Sequence, residues 1–319
     1  MEAQKANVIP LPRDLAPASD EIDLRELAIA LWQAKWWLFA TTLIATCLAV
    51  AFALWSPNIY RAEALLTPSL EQQGGGLSAL ASRFGGLASL AGVDLGNKGG
   101  DKASIAIEVG KSRLFLGEFI RRHQLAVPLI AATGMDKTTG ELLINPEVYD
   151  TQTQQWVREM PPGRSPEPTD WELIKAFRSL VNLNSDPKTG LLTVSVDFYS
   201  PQLAKQWVDW LIDDLNSTMK QRDQEESKRN IAYLTEQLSK TSVADMQKVF
   251  YQLIEEQTKT LMLAEVNQEY VFKVLDPAVI AEEKIKPKRA LIVALGALLG
   301  GMLGVMIILV RFAFRHDKK

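Results

Sequence analysis

The tetrapeptide Val-Gly-Lys-Ser at Val109–Ser112 has the ending of a phosphate-binding loop, in which backbone amides and a lysine cradle nucleotide phosphates. The full motif needs a glycine five positions before Gly110, and Ile105 stands there. Nucleotide chemistry is therefore set aside. The chain has one cysteine, Cys47, and two histidines, His123 and His316, far apart in sequence. That excludes an intrachain disulfide and the usual spacings of a zinc site. Carboxylates are abundant, but no Asp-x-Asp-x-Asp-Gly loop that would hold calcium occurs. No nucleophile, general base or metal constellation is legible, so no catalytic, cofactor or metal site is nominated; membrane glycan enzymes can use scattered acids, and this absence weighs only weakly against catalysis. The formal net charge is −3 over 319 residues, and no general nucleic-acid footprint is visible.

The most informative spacing belongs to small residues, whose chemistry is packing. Gly296, Gly300 and Gly304 lie four apart, with Gly301 beside them, in the apolar stretch LGALLGGMLG from Leu295 to Gly304. In a water-exposed helix each glycine costs about 1 kcal/mol relative to alanine. In a bilayer the same residue lets two helix backbones approach. A second ridge of small residues, Thr41, Ala45, Ala49 and Ala53, has the same spacing. These faces are expected to pack against each other, within a subunit or between neighbours; the alternative is the general liberality of membrane helices with glycine.

The elements that must carry these ridges are two charge-free runs, Trp36–Trp55 and Ala290–Val310, of 20 and 21 residues. At 1.5 Å per residue each reaches about 30 Å, the thickness of a bilayer's hydrocarbon core. Trp36, Trp37 and Trp55 stand at the ends of the first, where interfacial aromatics belong. The sequence Ala51–Ala53 resembles a signal-peptide cleavage site. The run is longer than a signal peptide's apolar region, however, and a polar stretch with six acids precedes it, so an uncleaved anchor is expected. Lys35 before the first run and Arg311, Arg315, Lys318 and Lys319 after the second argue for both termini in the cytoplasm. Lys284, Lys286, Lys288 and Arg289 crowd the other side of the second run, but a long intervening domain is translocated largely regardless of charge.

Between the runs, the alternation of the sequence predicts mixed strands and helices. Residues 1–19 read as a tail, and Ser19 or Asp20 opens a short amphipathic helix into the first run. Asn58–Pro68 reads as a strand. Gly74–Gly100 holds nine glycines in 27 residues and reads as a mobile loop packing on a neighbouring subunit, or as a floppy insertion. Asp101 opens a helix to about His123, and residues 145–169, with five prolines, read as loop. Thr169–Glu172 is a capping box for a helix to about Leu180. Leu192, Val194, Val196 and Phe198 alternate with polar positions, a half-buried strand, and Ser179–Leu183 is its expected partner across the Asp186–Gly190 turn. No glycine or proline occurs between Pro201 and Pro277. One helix over Pro201–Lys240 would span about 60 Å, and its wholly polar Lys220–Arg229 stretch points to projection into water. Ser242–Asp245 reads as a second capping box starting a return helix, so that the pair forms an antiparallel arm; a long helix lying flat on the domain is the other reading. Tyr270–Pro277 reads as a strand. Pro277 and Pro287, with Lys288, bracket a charged segment that sets the approach to the second run or serves as a simple linker.

Glu21–Leu38 (EIDLRELAIALWQAKWWL) and Pro287–Gly304 (PKRALIVALGALLGGMLG), with a Pro-Lys pair eleven residues ahead of Gly-Gly-Met-x-Gly, together with the order of elements, resemble the Wzz-type polysaccharide co-polymerases, or chain-length determinants. Ile280 and Ala290 stand where such proteins often carry proline. The resemblance implies a bacterial inner-membrane protein with a periplasmic domain. It further implies a homo-oligomeric ring that sets the modal length of a glycan polymerised on a polyprenyl-pyrophosphate carrier, together with a separate membrane polymerase. The expected fold is α+β: a membrane-proximal α/β base with a projecting antiparallel helical arm, flanked by two transmembrane helices. The expected layout is a cytoplasmic tail with amphipathic helix (1–35), membrane helix (36–55), periplasmic domain (56–289, with base 56–200 and 266–289 and arm about 201–265), membrane helix (290–310) and cytoplasmic tail (311–319). One rival is an exopolysaccharide or capsule export co-polymerase that activates a separate cytoplasmic tyrosine kinase, since the tail after Val310 holds no kinase domain. The other is a two-helix membrane sensor, which would need a larger cytoplasmic portion than either terminus offers.

Overall fold

The computed structural model describes residues 32, 34–69, 102–136 and 138–316. The expected amphipathic helix before the first apolar run and the glycine-rich Gly74–Gly100 segment lie outside the described residues. The order is α1 (Lys35–Trp55), β1 (Ile59–Pro68), α2 (Lys102–Lys111), α3 (Arg113–Arg122), α4 (Ala126–Ile130), β2 (Ala132–Met135), β3 (Leu142–Ile144), β4 (Tyr149–Asp150) and β5 (Gln155–Trp156). There follow α5 (Asp170–Leu180), β6 (Val181–Ser185), β7 (Leu192–Phe198), α6 (Pro201–Lys240), α7 (Ala244–Val266), β8 (Phe272–Asp276), β9 (Lys284–Lys286) and α8 (Arg289–His316). This is the expected mixed α+β architecture with an apolar helix at each end. Two units result: α1 with α8, and the body Pro57–Pro287.

The body is built on an antiparallel sheet in the order β6-β7-β1-β8, with β9 also pairing β1. Alternation fixes its register. Leu66 faces Leu192, Ala64 faces Val194 and Ala62 faces Val196, and all six side chains are buried on one face. A one-residue slip would turn this whole set outward. The first half of α6 covers that face with Ala204, Trp207, Val208, Leu211, Ile212, Leu215 and Met219, while Phe115 and Phe119 of α3 and Phe177 of α5 complete the core. Trp207 packs against Phe198 with ring centroids 4.4 Å apart. Ser200 caps α6 by accepting from the Leu203 amide, and Pro201 suits the first helical position.

Beyond Met219 the burial of α6 lapses apart from Ser227, and its partner is α7. The two run antiparallel: Asn230 donates to Gln257 at 3.3 Å, and the Lys220 ammonium reaches the carbonyls of Glu265 and Asn267. Asn216, buried in α6, fixes the return of the chain. Its amide donates to the Phe272 carbonyl at 3.0 Å, and its side-chain oxygen accepts from the Val271 and Phe272 amides at 2.9 and 3.0 Å.

Several local expectations are corrected. The helix expected from Asp101 to His123 is two helices. Ser112 takes an extended conformation and caps α3 by accepting from the Phe115 amide. Gly110 lies where a Cβ would meet Leu183 at 3.2 Å and Leu215 at 3.6 Å, so Val109–Ser112 is a packed helix joint. Residues 145–169 are not all loop, because Tyr149 and Asp150 pair with Trp156 and Gln155. The Ser242–Asp245 capping box does not form: Val243 is the N-cap of α7 and no side chain caps it. The helix that begins at the Thr169 capping box does run to Leu180, with both reciprocal bonds made, and β6 therefore starts at Val181.

Candidate functional site: the paired apolar helices

Helices α1 and α8 are long and apolar enough to cross a membrane. Their outward surface is greasy: Leu43, Ile44, Leu48 and Phe52 of α1, and Leu295, Leu299, Met302 and Met306 of α8, are all more than half or about half exposed. Within the pair, contact is confined to one narrow seam. Gly300, Gly304 and Ile308 are buried, and Gly296 is half-buried. A Cβ at Gly296 would collide with Ala49, one at Gly300 would sit 2.5 Å from the Ala45 Cβ, and one at Gly304 would collide with the Thr41 hydroxyl. The backbone of α1 is close as well, with the Thr42 Cα 3.2 Å and the Thr41 carbonyl oxygen 3.3 Å from that position at Gly300. Three glycines four apart thus meet Thr41, Ala45 and Ala49 four apart, because residues at i and i+4 share a helix face.

Gly301 stands off this line, and a Cβ there would meet only the Thr42 hydroxyl, at 3.8 Å. Ala53 is buried at the far end, where the Arg289 guanidinium donates to its carbonyl at 3.1 Å. Leu38 and Thr42 also line the seam; neither was nominated from sequence, since a small-residue pattern does not report larger neighbours. The hydroxyls are satisfied within α1. Thr41 and Thr42 donate to the Leu38 carbonyl at 3.0 and 2.8 Å, and Thr46 donates to the Thr42 carbonyl at 2.7 Å. These three hydroxyls are thereby paired, as an apolar medium requires.

Part of the proline segment pairs with the sheet. Pro277 is exposed just after β8, Pro287 is half-buried just after β9, and Lys288 is exposed. Between them Lys284–Lys286 pairs with Ile59 and Tyr60 of β1. The Lys286 ammonium lies 3.2 Å from Asp197, which also holds Arg61 in a two-point bond at 2.6 and 3.0 Å. Burial works to raise the Asp197 carboxyl, but the hydrogen bonds from Arg61 and Lys286 outweigh it and hold the group below the usual carboxylate range. Among the described residues no group of three His, Cys, Asp or Glu side chains is placed to hold a metal ion.

Residues 20–123 match the Wzz family, described as chain length determinant protein. Over that stretch, about a third of the 319 residues, the chain is similar to chain length determinant proteins. A second family, described as a G-rich domain on putative tyrosine kinase, matches residues 237–313. A full-length bacterial polysaccharide co-polymerase is similar in structure at 16% identity, covering 92% of this chain and 99% of that one, with a TM-score of 0.39. A fragment of WzzB, the polysaccharide co-polymerase from Salmonella Typhimurium, is similar at 15% identity over 72% of this chain and 100% of that one, with a TM-score of 0.26. No curated protein matches the chain in sequence.

Proposed function

We propose that the chain sets the length of a lipid-carrier-linked bacterial surface polysaccharide, O-antigen or a related glycan, without itself catalysing a reaction. It works as a homo-oligomeric ring beside a separate membrane polymerase. Both termini lie in the cytoplasm and residues 56–289 in the periplasm, with 201–265 as the arm. The seam of α1 and α8 holds the pair of anchors of each subunit. The single observation that carries this reading is the chain length determinant match over residues 20–123. Deleting the gene and separating the cell's polysaccharide on a gel tests it. The expected result is loss of the modal length, with random-length chains in its place. Unchanged length distributions would refute it.

The match to a G-rich domain on putative tyrosine kinase over residues 237–313 favours a second reading, an export co-polymerase that activates a separate kinase. Its signature in the same deletion is lost surface export at normal chain length. Orientation is tested by fusing a reporter to each terminus, both of which should be inaccessible from outside intact spheroplasts.

A further inference from the structure

Helices α3 and α5 leave between them an open groove of about 610 Å³ that no sequence motif announces. Four cations line it: Arg113 and Arg121 from α3, and Lys175 and Arg178 from α5. One acid, Asp170, faces them and is engaged by Arg121 at 2.8 Å. The groove is thus strongly positive on a chain whose formal net charge is −3. Its cations are also partly presented. Arg178 donates one guanidinium nitrogen to the Lys111 carbonyl at 2.6 Å, which steadies its head. Arg113 is exposed, and its side chain makes no hydrogen bond or ion pair among the described residues.

The same groove offers an apolar platform. Trp171 is 62% exposed, with the Lys175 ammonium 5.0 Å from its ring centroid. Gly117 keeps the α3 wall low: a Cβ there would meet Arg121 and Ile174 in ordinary contact.

Guanidinium groups take carboxylates in parallel two-point bonds, and an exposed indole takes a flat apolar surface beside a polar one. A ligand using both at once carries acidic groups spaced along rings with apolar faces. We infer that this groove binds an acidic saccharide segment, the carboxylates on Arg113, Lys175 and Arg178 and a ring face on Trp171. This deepens the proposed function, and it rests on that reading for the identification of the occupant as glycan. A bare phosphate group would use the cations and leave the indole idle.

The test uses the full chain in detergent micelles and measures binding of oligogalacturonate, neutral dextran of matched size, and inorganic pyrophosphate. The variants are Trp171→Ala and the double Arg113→Ala/Lys175→Ala, with mass in solution recorded for each. Oligogalacturonate should bind and weaken with added salt. It should lose about tenfold or more in the double variant, and several-fold in Trp171→Ala. Dextran should bind far more weakly, and mass should be unchanged. The inference is overturned if the wild-type chain does not bind oligogalacturonate, if the variants bind it as the wild type does, or if pyrophosphate binds as tightly and is indifferent to Trp171. It is equally overturned if the variants change the mass, which would make the groove a subunit interface. The gene-deletion gel is independent of these readings: scrambled lengths without oligogalacturonate binding remove only the groove, while unchanged lengths remove the function whatever the groove binds.

Discussion

Alanine at Gly300 and alanine at Gly301 are the same chemical change one residue apart, yet the seam predicts opposite outcomes. At Gly300 the new Cβ would stand 2.5 Å from the Ala45 Cβ and 3.2 Å from the Thr42 Cα. Non-bonded carbons settle at about 3.5–4.0 Å, so α1 and α8 must part locally by roughly 1 Å. A gap of that size forfeits about a quarter to a half of each facing contact. Overpacking of this kind costs typically about 1–3 kcal/mol. At Gly301 the Cβ meets only the Thr42 hydroxyl at 3.8 Å, which is ordinary contact, and the effect should be close to zero. Unfolding of the purified full chain in detergent, followed by tryptophan fluorescence, should place Gly300→Ala below wild type and Gly301→Ala beside it. Adding Ala45→Gly to Gly300→Ala removes the colliding methyl and should restore much of the loss, a coupling that a double-mutant cycle reads directly. If the two single variants melt together, or if Ala45→Gly restores nothing, the close seam is wrong.

Replacing Asn216 by leucine leaves the Val271 and Phe272 amides without their acceptor, and should cost roughly 3 kcal/mol, read by chemical denaturation of the same sample. Thr169→Ala removes one half of the α5 capping box and should cost about 1 kcal/mol in that assay. Asp197 has a lowered folded pKa. Its stabilising contribution is therefore complete above its unfolded value and is lost as pH falls through the folded one. Asp197→Asn should accordingly lower the melting temperature at neutral pH and shrink the further loss on acidification, as a pH series of melting curves would record.

The two apolar helices and the long α6 are legible in the sequence because their signals are local: charge-free length for the first pair, and the absence of glycine and proline for the second. The Thr169 capping box is local too, and the structure contains it. What escapes is set by distant partners. The break at Ser112 leaves no strong mark, since serine caps one helix and sits inside another without comment; what holds Gly110 is Leu183 and Leu215, contributed from far along the chain. The three-residue β9, Lys-Ile-Lys, has no strand pattern of its own and exists through its pairing with Ile59 and Tyr60. The second capping box fails although its residues fit, because α7 begins one turn-residue later than a Ser242 cap requires, at Ala244. At the helix seam, spacing alone displays the glycine ridge, but not that Leu38 and Thr42 stand opposite it. The α3–α5 groove joins side chains from Arg113 to Arg178, and a linear motif cannot express such a junction.

The pairing of Ile59 with Lys286 brings the two ends of the Pro57–Pro287 body onto neighbouring strands, and partners across an antiparallel ladder have Cα atoms about 4.5–5.5 Å apart. The body is topologically a closed bead. A short peptide could join its natural ends while new ones are opened at the Asp186–Gly190 turn, and the whole bead could be transplanted as an insert into a surface loop of an unrelated host with little stretching of either chain.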